Sequence, residues 1–152
     1  MISAKLIHHI EEHWQAVGQR WLRLLRAQKN LPHVSRMPES EVDEVCGRLL
    51  RNLGRWLASN HDHELARQYE EIGRLRCREH MPLSEAVRGV QLLREAAIGY
   101  IRDQGVFDSS LGLYAEEELE HDLSRFFDLL SYHLVRGYEQ ESALIAEEAA
   151  SR

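Results

Sequence analysis

The residues of this 152-residue chain best suited to chemistry are its nine histidines and two cysteines. His9-Ile10-Glu11-Glu12-His13 fits the pattern H-x-x-E-H, which on a helix sets two imidazoles one turn apart beside a carboxylate, as zinc hydrolases require. Such an enzyme also needs a third ligand and a substrate cleft. Ile10 and Trp14 share the neighbouring helix face with the core, so surface histidines on an amphipathic helix are the simpler reading, and a metal-dependent enzyme at His9 and His13 is the lesser alternative. Glu118-Leu-Glu-His121 supplies one Glu-x-x-His, whereas a di-iron bundle needs two, with further glutamates from two other helices. His61 and His63 flank a turn aspartate and read as solvated. Cys77 lies between Arg76 and Arg78, and neighbouring positive charge lowers a thiol pKa, which makes it the stronger candidate for a redox thiol. No hydrolytic triad and no phosphate loop is present. The sequence therefore predicts no catalytic residues, no metal site and no enzyme.

The elements that must carry these residues are helical throughout. Leu6, Ile10, Trp14, Val17, Trp21 and Leu24 or Leu25 step by three and four along Ser3–Ala27. Asn30-Leu-Pro-His stops that helix, because proline lacks the next backbone donor. Ser40 reads as the N-cap of a second helix, with Val42, Val45, Leu49, Leu53 and Trp56 as its stripe and an end near Ser59-Asn60. A third spans about Glu64–Arg78. A fourth, Ser84–Asp103, follows the corner His80-Met81-Pro82. Gly105-Val-Phe-Asp-Ser-Ser breaks the chain again, with Asp108, Ser109 and Ser110 as candidate caps. A fifth helix runs over about Leu111–Ala149. The prediction is a single all-α domain of about five principal helices over 1–152, whose last stretch, about 140–152, reads either as a linker to a following domain or as a frayed tail.

Composition narrows the function. The net charge is −6 with acids interleaved among the arginines, which disfavours nucleic-acid binding. No stretch reaches the roughly 20 apolar residues of a membrane span, and the first residues lack the apolar run of a signal peptide. Two cysteines far apart in sequence suit a reduced, cytoplasmic chain. Phe126 and Phe127 point about 100° apart on one helix, and Leu129-Leu130 repeats the widening, so the last helix is expected to bury one face in its own core and another against a partner, with a monomeric helix enclosed by its own domain as the alternative. Arg94 borders the apolar stripe of the fourth helix and needs a carboxylate from elsewhere or a path to water.

Gly73-Arg74-Leu75-Arg76, the corner His80-Met81-Pro82, and Leu83-Ser-Glu-Ala-Val87 with Leu92-Leu93-Arg94 resemble the N-terminal domain of RsbR-type stressosome regulators. The resemblance implies a globin-like helical fold without haem, used as a sensory or regulatory module. It extends distantly to globin-coupled sensors, whose proximal helix reads Ile-Gly-x-x-His before a Gly-[ILM]-Pro-like corner. The same register here is Ile72-Gly73-Arg74-Leu75-Arg76, and a guanidinium does not ligate iron in the ordinary way. The resemblance further implies a homodimer in which the last two helices of each copy form a four-helix bundle. Leu93, Ile101, Leu119, Leu123, Phe126, Phe127, Leu130 and Leu134 are the interface residues expected on that basis. The reading is thus a non-enzymatic, cytoplasmic input and dimerisation module that signals by helix repacking to a downstream domain or protein. Its rival is a haem or small-ligand sensor with a pocket near Leu49, Leu53, Leu75 and Arg76.

Overall fold

A computed structural model describes residues 2–58, 62–105 and 110–152. Among them stand seven α-helices and one 3-10 turn, with no strand: α1 Ile2–Glu12, α2 Trp14–Arg26, the turn Val34–Arg36, α3 Glu39–Leu50, α4 Leu53–Leu57, α5 Asp62–Arg78, α6 Leu83–Gln104 and α7 Ser110–Ala150. The all-α bundle is as the periodicities predict. The expected caps at Asp108 and Ser109, and His61, lie outside the described residues.

Two predicted helices are each divided. The first breaks at His13, where the backbone N–H is shared between the carbonyls of His9 at 3.1 Å and Ile10 at 3.2 Å. The His13 ring nitrogen Nδ1 also lies 2.9 Å from the His9 oxygen. Side chain and backbone therefore compete for one acceptor, which loosens the helical ladder there. The second helix breaks at Asn52, and α4 restarts on a carboxylate from far away in sequence: Gly54 donates its N–H to Glu11 Oε2 at 3.1 Å. Ser40 is not the cap of α3. Pro38 holds that position at φ −58°, and its carbonyl accepts the N–H groups of Glu41 and Val42.

The α5–α6 corner is a tight helix stop. His80 has φ 61°, its N–H bonds to the Cys77 carbonyl, and the N–H of Met81 reaches back to that of Arg76 at 3.0 Å. This is the paired arrangement in which a left-handed residue closes a helix end. Pro82 then begins α6. The Tyr138 hydroxyl of α7 donates to the Met81 carbonyl, strapping the corner to the last helix.

The closest helix contact is between α5 and α7. A Cβ built on Gly73 would lie 2.0 Å from the Leu134 carbonyl oxygen, and one on Gly137 would lie 2.0 Å from that of Glu70. Each glycine therefore admits the other helix's backbone. Around this contact Glu70 accepts from His133 Nδ1 at 2.8 Å, with Arg74 and Arg136 about 4 Å away. At α7's 41 residues and 1.5 Å per residue the helix is about 60 Å long. Near its end Glu141 pairs with Arg78 of α5 at 3.6 Å, and residues 142–152 are exposed.

Candidate functional site

The residues predicted to join two copies are filled from within. Leu93, Ile101, Leu119, Leu123, Phe126, Phe127, Leu130 and Leu134 all belong to the core of the single chain. Phe126 and Phe127 meet edge to face at 5.5 Å, and both are covered because α7 packs against α1, α5 and α6 at once. The width of the apolar face is thus accounted for inside one chain, where these eight residues are buried and not exposed for contact. Outward on α7 stand Leu113, Tyr114, Leu129 and Tyr132, with Leu144 and Ile145 near its end. Tyr114 and Tyr132 are eighteen residues apart, five full turns, and so stand on one line of the helix. Beside that line runs an open groove between α6 and α7, lined by Arg94, Ile98, Arg102, Glu120 and His121 among others. Arg94 reaches Asp128 only at 3.8 Å and is about a third exposed, so it takes the solvent path and not the buried pairing.

The buried arginine is Arg76. It donates to Glu41 of α3 and, at 3.2 Å, to Glu79. It lines a cavity of about 350 Å³ between α3 and α5, together with Leu49 and Leu75. Leu53, expected there as well, is fully buried in the core and does not reach this cavity, because the chain breaks before α4 and carries it away. A buried guanidinium needs counter-charge, and the two glutamates supply it.

Glu85 is the residue that reading the sequence missed. Only 4% of it is exposed. Its Oε1 accepts the backbone N–H groups of His33 at 2.9 Å and Val34 at 3.2 Å, pinning the 3-10 turn onto α6. The signal was available, since Glu85 falls on the same helical face as Gly89, Leu92, Leu93 and Ala96.

Cys77 does not become the reactive thiol its neighbours in sequence suggest. Burial and then Glu141 push its pKa up, against a weaker downward pull from Arg78. Arg76 is turned away into its pair with Glu41. Cys46 is wholly buried, and burial with Asp43 pushes it up to about 12. Iodoacetamide at neutral pH is therefore expected to modify neither thiol in the folded protein and both after denaturation. Rapid labelling of native Cys77 would restore the redox reading.

His9 and His13 come together, with ring centroids 4.3 Å apart, and His9 stacks on Tyr100 at 5.7 Å. The carboxylates of the motif are engaged elsewhere, Glu11 at the start of α4 and Glu12 with His8 at 2.8 Å. Among the described residues no group of three or more His, Cys, Asp or Glu is placed to hold a metal ion. His9 Nε2 is buried without a hydrogen-bond partner among those residues. Burial first, and then the His13 ring, hold the His9 pKa below its ordinary 6.5, against an upward pull from Glu12. The unfolded chain therefore takes up this proton before the folded one does. Stability is expected to fall as pH drops below about 6.5, until the folded group is itself protonated. Urea unfolding above and below that window should show the loss, and His9→Phe should reduce it. An unchanged pH dependence in the variant would rule His9 out as its source.

The positions that carried the resemblance now have structural roles. Gly73 admits α7, Arg76 closes on Glu41, His80 turns the corner and Glu85 holds the 3-10 turn. The family model described as the RsbT co-antagonist protein rsbRD N-terminal domain matches residues 15–152. The chain belongs to this family. It is an RsbRD N-terminal-type domain, and so a regulatory domain of the bacterial stress-signalling class. No curated protein and no solved structure matches it significantly. None of the helices among the described residues is long and apolar enough to cross a membrane.

Proposed function

We propose that this domain is a non-enzymatic input and dimerisation module of a cytoplasmic signalling protein, working without haem. The family match over residues 15–152 is the observation that carries the regulatory reading. Two copies meet through the outward line of α7 at Leu129 and Tyr132, beside the α6–α7 groove. The apolar side chains exposed there support this, since large apolar residues aligned on one helix face are typical of contact surfaces. The output leaves through the end of α7. Leu144 and Ile145, half exposed, continue the edges of its buried stripe past Glu141. The sequence register puts Arg76 where a globin sensor has its iron ligand, and the ion pair of Arg76 with Glu41 supports a haem-free module.

Signalling then consists of a change in how α7 packs, passed to a downstream domain or partner. Any signal must bind one packing better than the other, because only differential affinity shifts the balance. Light scattering tests the assembly. The expected molar mass is twice the 17.7 kDa of one chain, and a single-chain mass at tens of micromolar would overturn the dimer.

A further inference from the structure

The α3–α5 cleft has the attributes of a small-molecule site, and its ligand class can be read from its walls. Its volume of about 350 Å³ is at the small end of the range for such sites. Val45, Leu49, Ile72 and Leu75 give it apolar walls, and Leu75 is left 38% exposed for want of anything to cover it. The charges at its rim are matched within the chain: Arg48 with Glu44 at 2.6 Å, Arg78 with Glu71 at 3.0 Å, and Arg76 with Glu41. No guanidinium there is left to select an anion, and no carboxylate to select a cation. A charged ligand would have to displace an existing pair, whereas a neutral one need not.

Two polar side chains of the lining, Gln68 and Tyr69, stand outside these pairs, and Tyr69 is the more buried. Tyr69 lines the cleft with only 5% of its surface exposed, and its hydroxyl makes no hydrogen bond among the described residues. Burial, and then Cys46, push its pKa well above the usual phenol range, so it remains a proton donor at neutral pH. The hydroxyl is not among the buried atoms left without a partner, so it is open to solvent in the cleft, where a ligand's acceptor can take the place of water.

We propose that this cleft binds a small, neutral, largely apolar molecule carrying one hydrogen-bond acceptor, such as a carbonyl, which accepts from the Tyr69 hydroxyl. The site also has a route inward. Val45, Tyr69, Ile72 and Arg76 form a wall common to the cleft and to an inner cavity of about 40 Å³, whose far side is made by Leu93 of α6 and Leu134 of α7. A ligand that shifts this wall acts on core residues of α7, the helix assigned to output, and of its neighbour α6. That regulatory role rests on the function proposed above, but binding itself does not, and it is measurable whatever the oligomeric state.

Acetophenone is a suitable probe, with benzoate as its charged counterpart and ethylbenzene as the analogue lacking the acceptor. Amide chemical shifts of the whole chain should move saturably with acetophenone, in α3 and α5 first. Tyr69→Phe should weaken acetophenone about fivefold, the worth of one hydrogen bond, and leave ethylbenzene unchanged. Leu75→Trp, at a half-exposed position that tolerates a larger side chain, should block both by filling the cleft. The absence of saturable shifts at millimolar acetophenone would overturn the proposal. So would benzoate binding as tightly as acetophenone, or acetophenone binding undiminished in Leu75→Trp.

Discussion

Gly137→Ala is expected to destabilise the domain by about 3 kcal/mol or more, although alanine is the better helix former. The propensity gain is about 1 kcal/mol. Against it stands a methyl group placed 2.0 Å from the Glu70 carbonyl oxygen, with the Glu70 carbon and Cα also within 2.7 Å. These are backbone atoms of a packed helix and cannot rotate aside as a side chain would, so α5 and α7 must separate along the contact. Overpacking usually costs about 1–3 kcal/mol, and here the separation also opens the His133–Glu70 pair. Gly73→Ala meets the Leu134 carbonyl at the same distance from the other side and should cost a comparable amount. The double variant should cost less than the sum, because helices moved apart for one methyl have room for the next. Gly105 is the control. It has φ 54° with nothing within 4 Å of a built Cβ, so Gly105→Ala carries only the backbone penalty of about 1 kcal/mol. Urea unfolding of the four variants decides this, and a Gly137→Ala protein as stable as the parent would show that the two backbones do not approach so closely.

Glu85→Ala should cost about 2–4 kcal/mol and Glu85→Gln about 1 kcal/mol. Alanine leaves the N–H groups of His33 and Val34 without their acceptor where water reaches poorly. Glutamine keeps one oxygen able to accept from both, losing only the charge assistance. The same measurement separates two roles for this buried acid. A structural clasp predicts alanine far worse than glutamine, whereas a role that needs the charge predicts the two alike.

The core was legible from spacing alone. Leu119, Leu123, Phe127, Leu130 and Leu134 recur at helical intervals on α7, and all are buried. What spacing could not say was which neighbour buries them. A face wide enough for Phe126 and Phe127 together looks the same in sequence whether a second copy or further helices of the same chain cover it, and here α1, α5 and α6 do so. Local sequence misled in a second way at Cys77. Arg76 and Arg78 flank Cys77 in the chain, but on a helix neighbouring residues diverge by about 100°, so Arg76 turns to Glu41, while burial and Glu141 of α7 outweigh the pull of Arg78 on the thiol. The cleft was half readable. Leu49, Leu75 and Arg76 share it, while Leu53 was lost to a helix break at Asn52 whose stabilising acceptor, Glu11, is over forty residues away. Long-range caps of this sort, Glu11 on α4 and Glu85 on the 3-10 turn, leave no pattern in a local window. Gly73 and Gly137 likewise gain their meaning only when α5 and α7 are laid together.

The central claim is that the inner face of α7 belongs to its own chain and that a second copy meets its outer line. Light scattering on a Leu129→Lys/Tyr132→Lys double variant tests it most directly. Both side chains are exposed, at 37% and 58%, so the variant should keep its helical circular dichroism and its unfolding transition while its mass falls from two chains to one. Phe127→Lys, at a position 1% exposed, should instead lose the folded state. A double variant that remains a dimer, or a Phe127→Lys protein that stays folded and becomes monomeric, would place the interface on the face assigned here to the core.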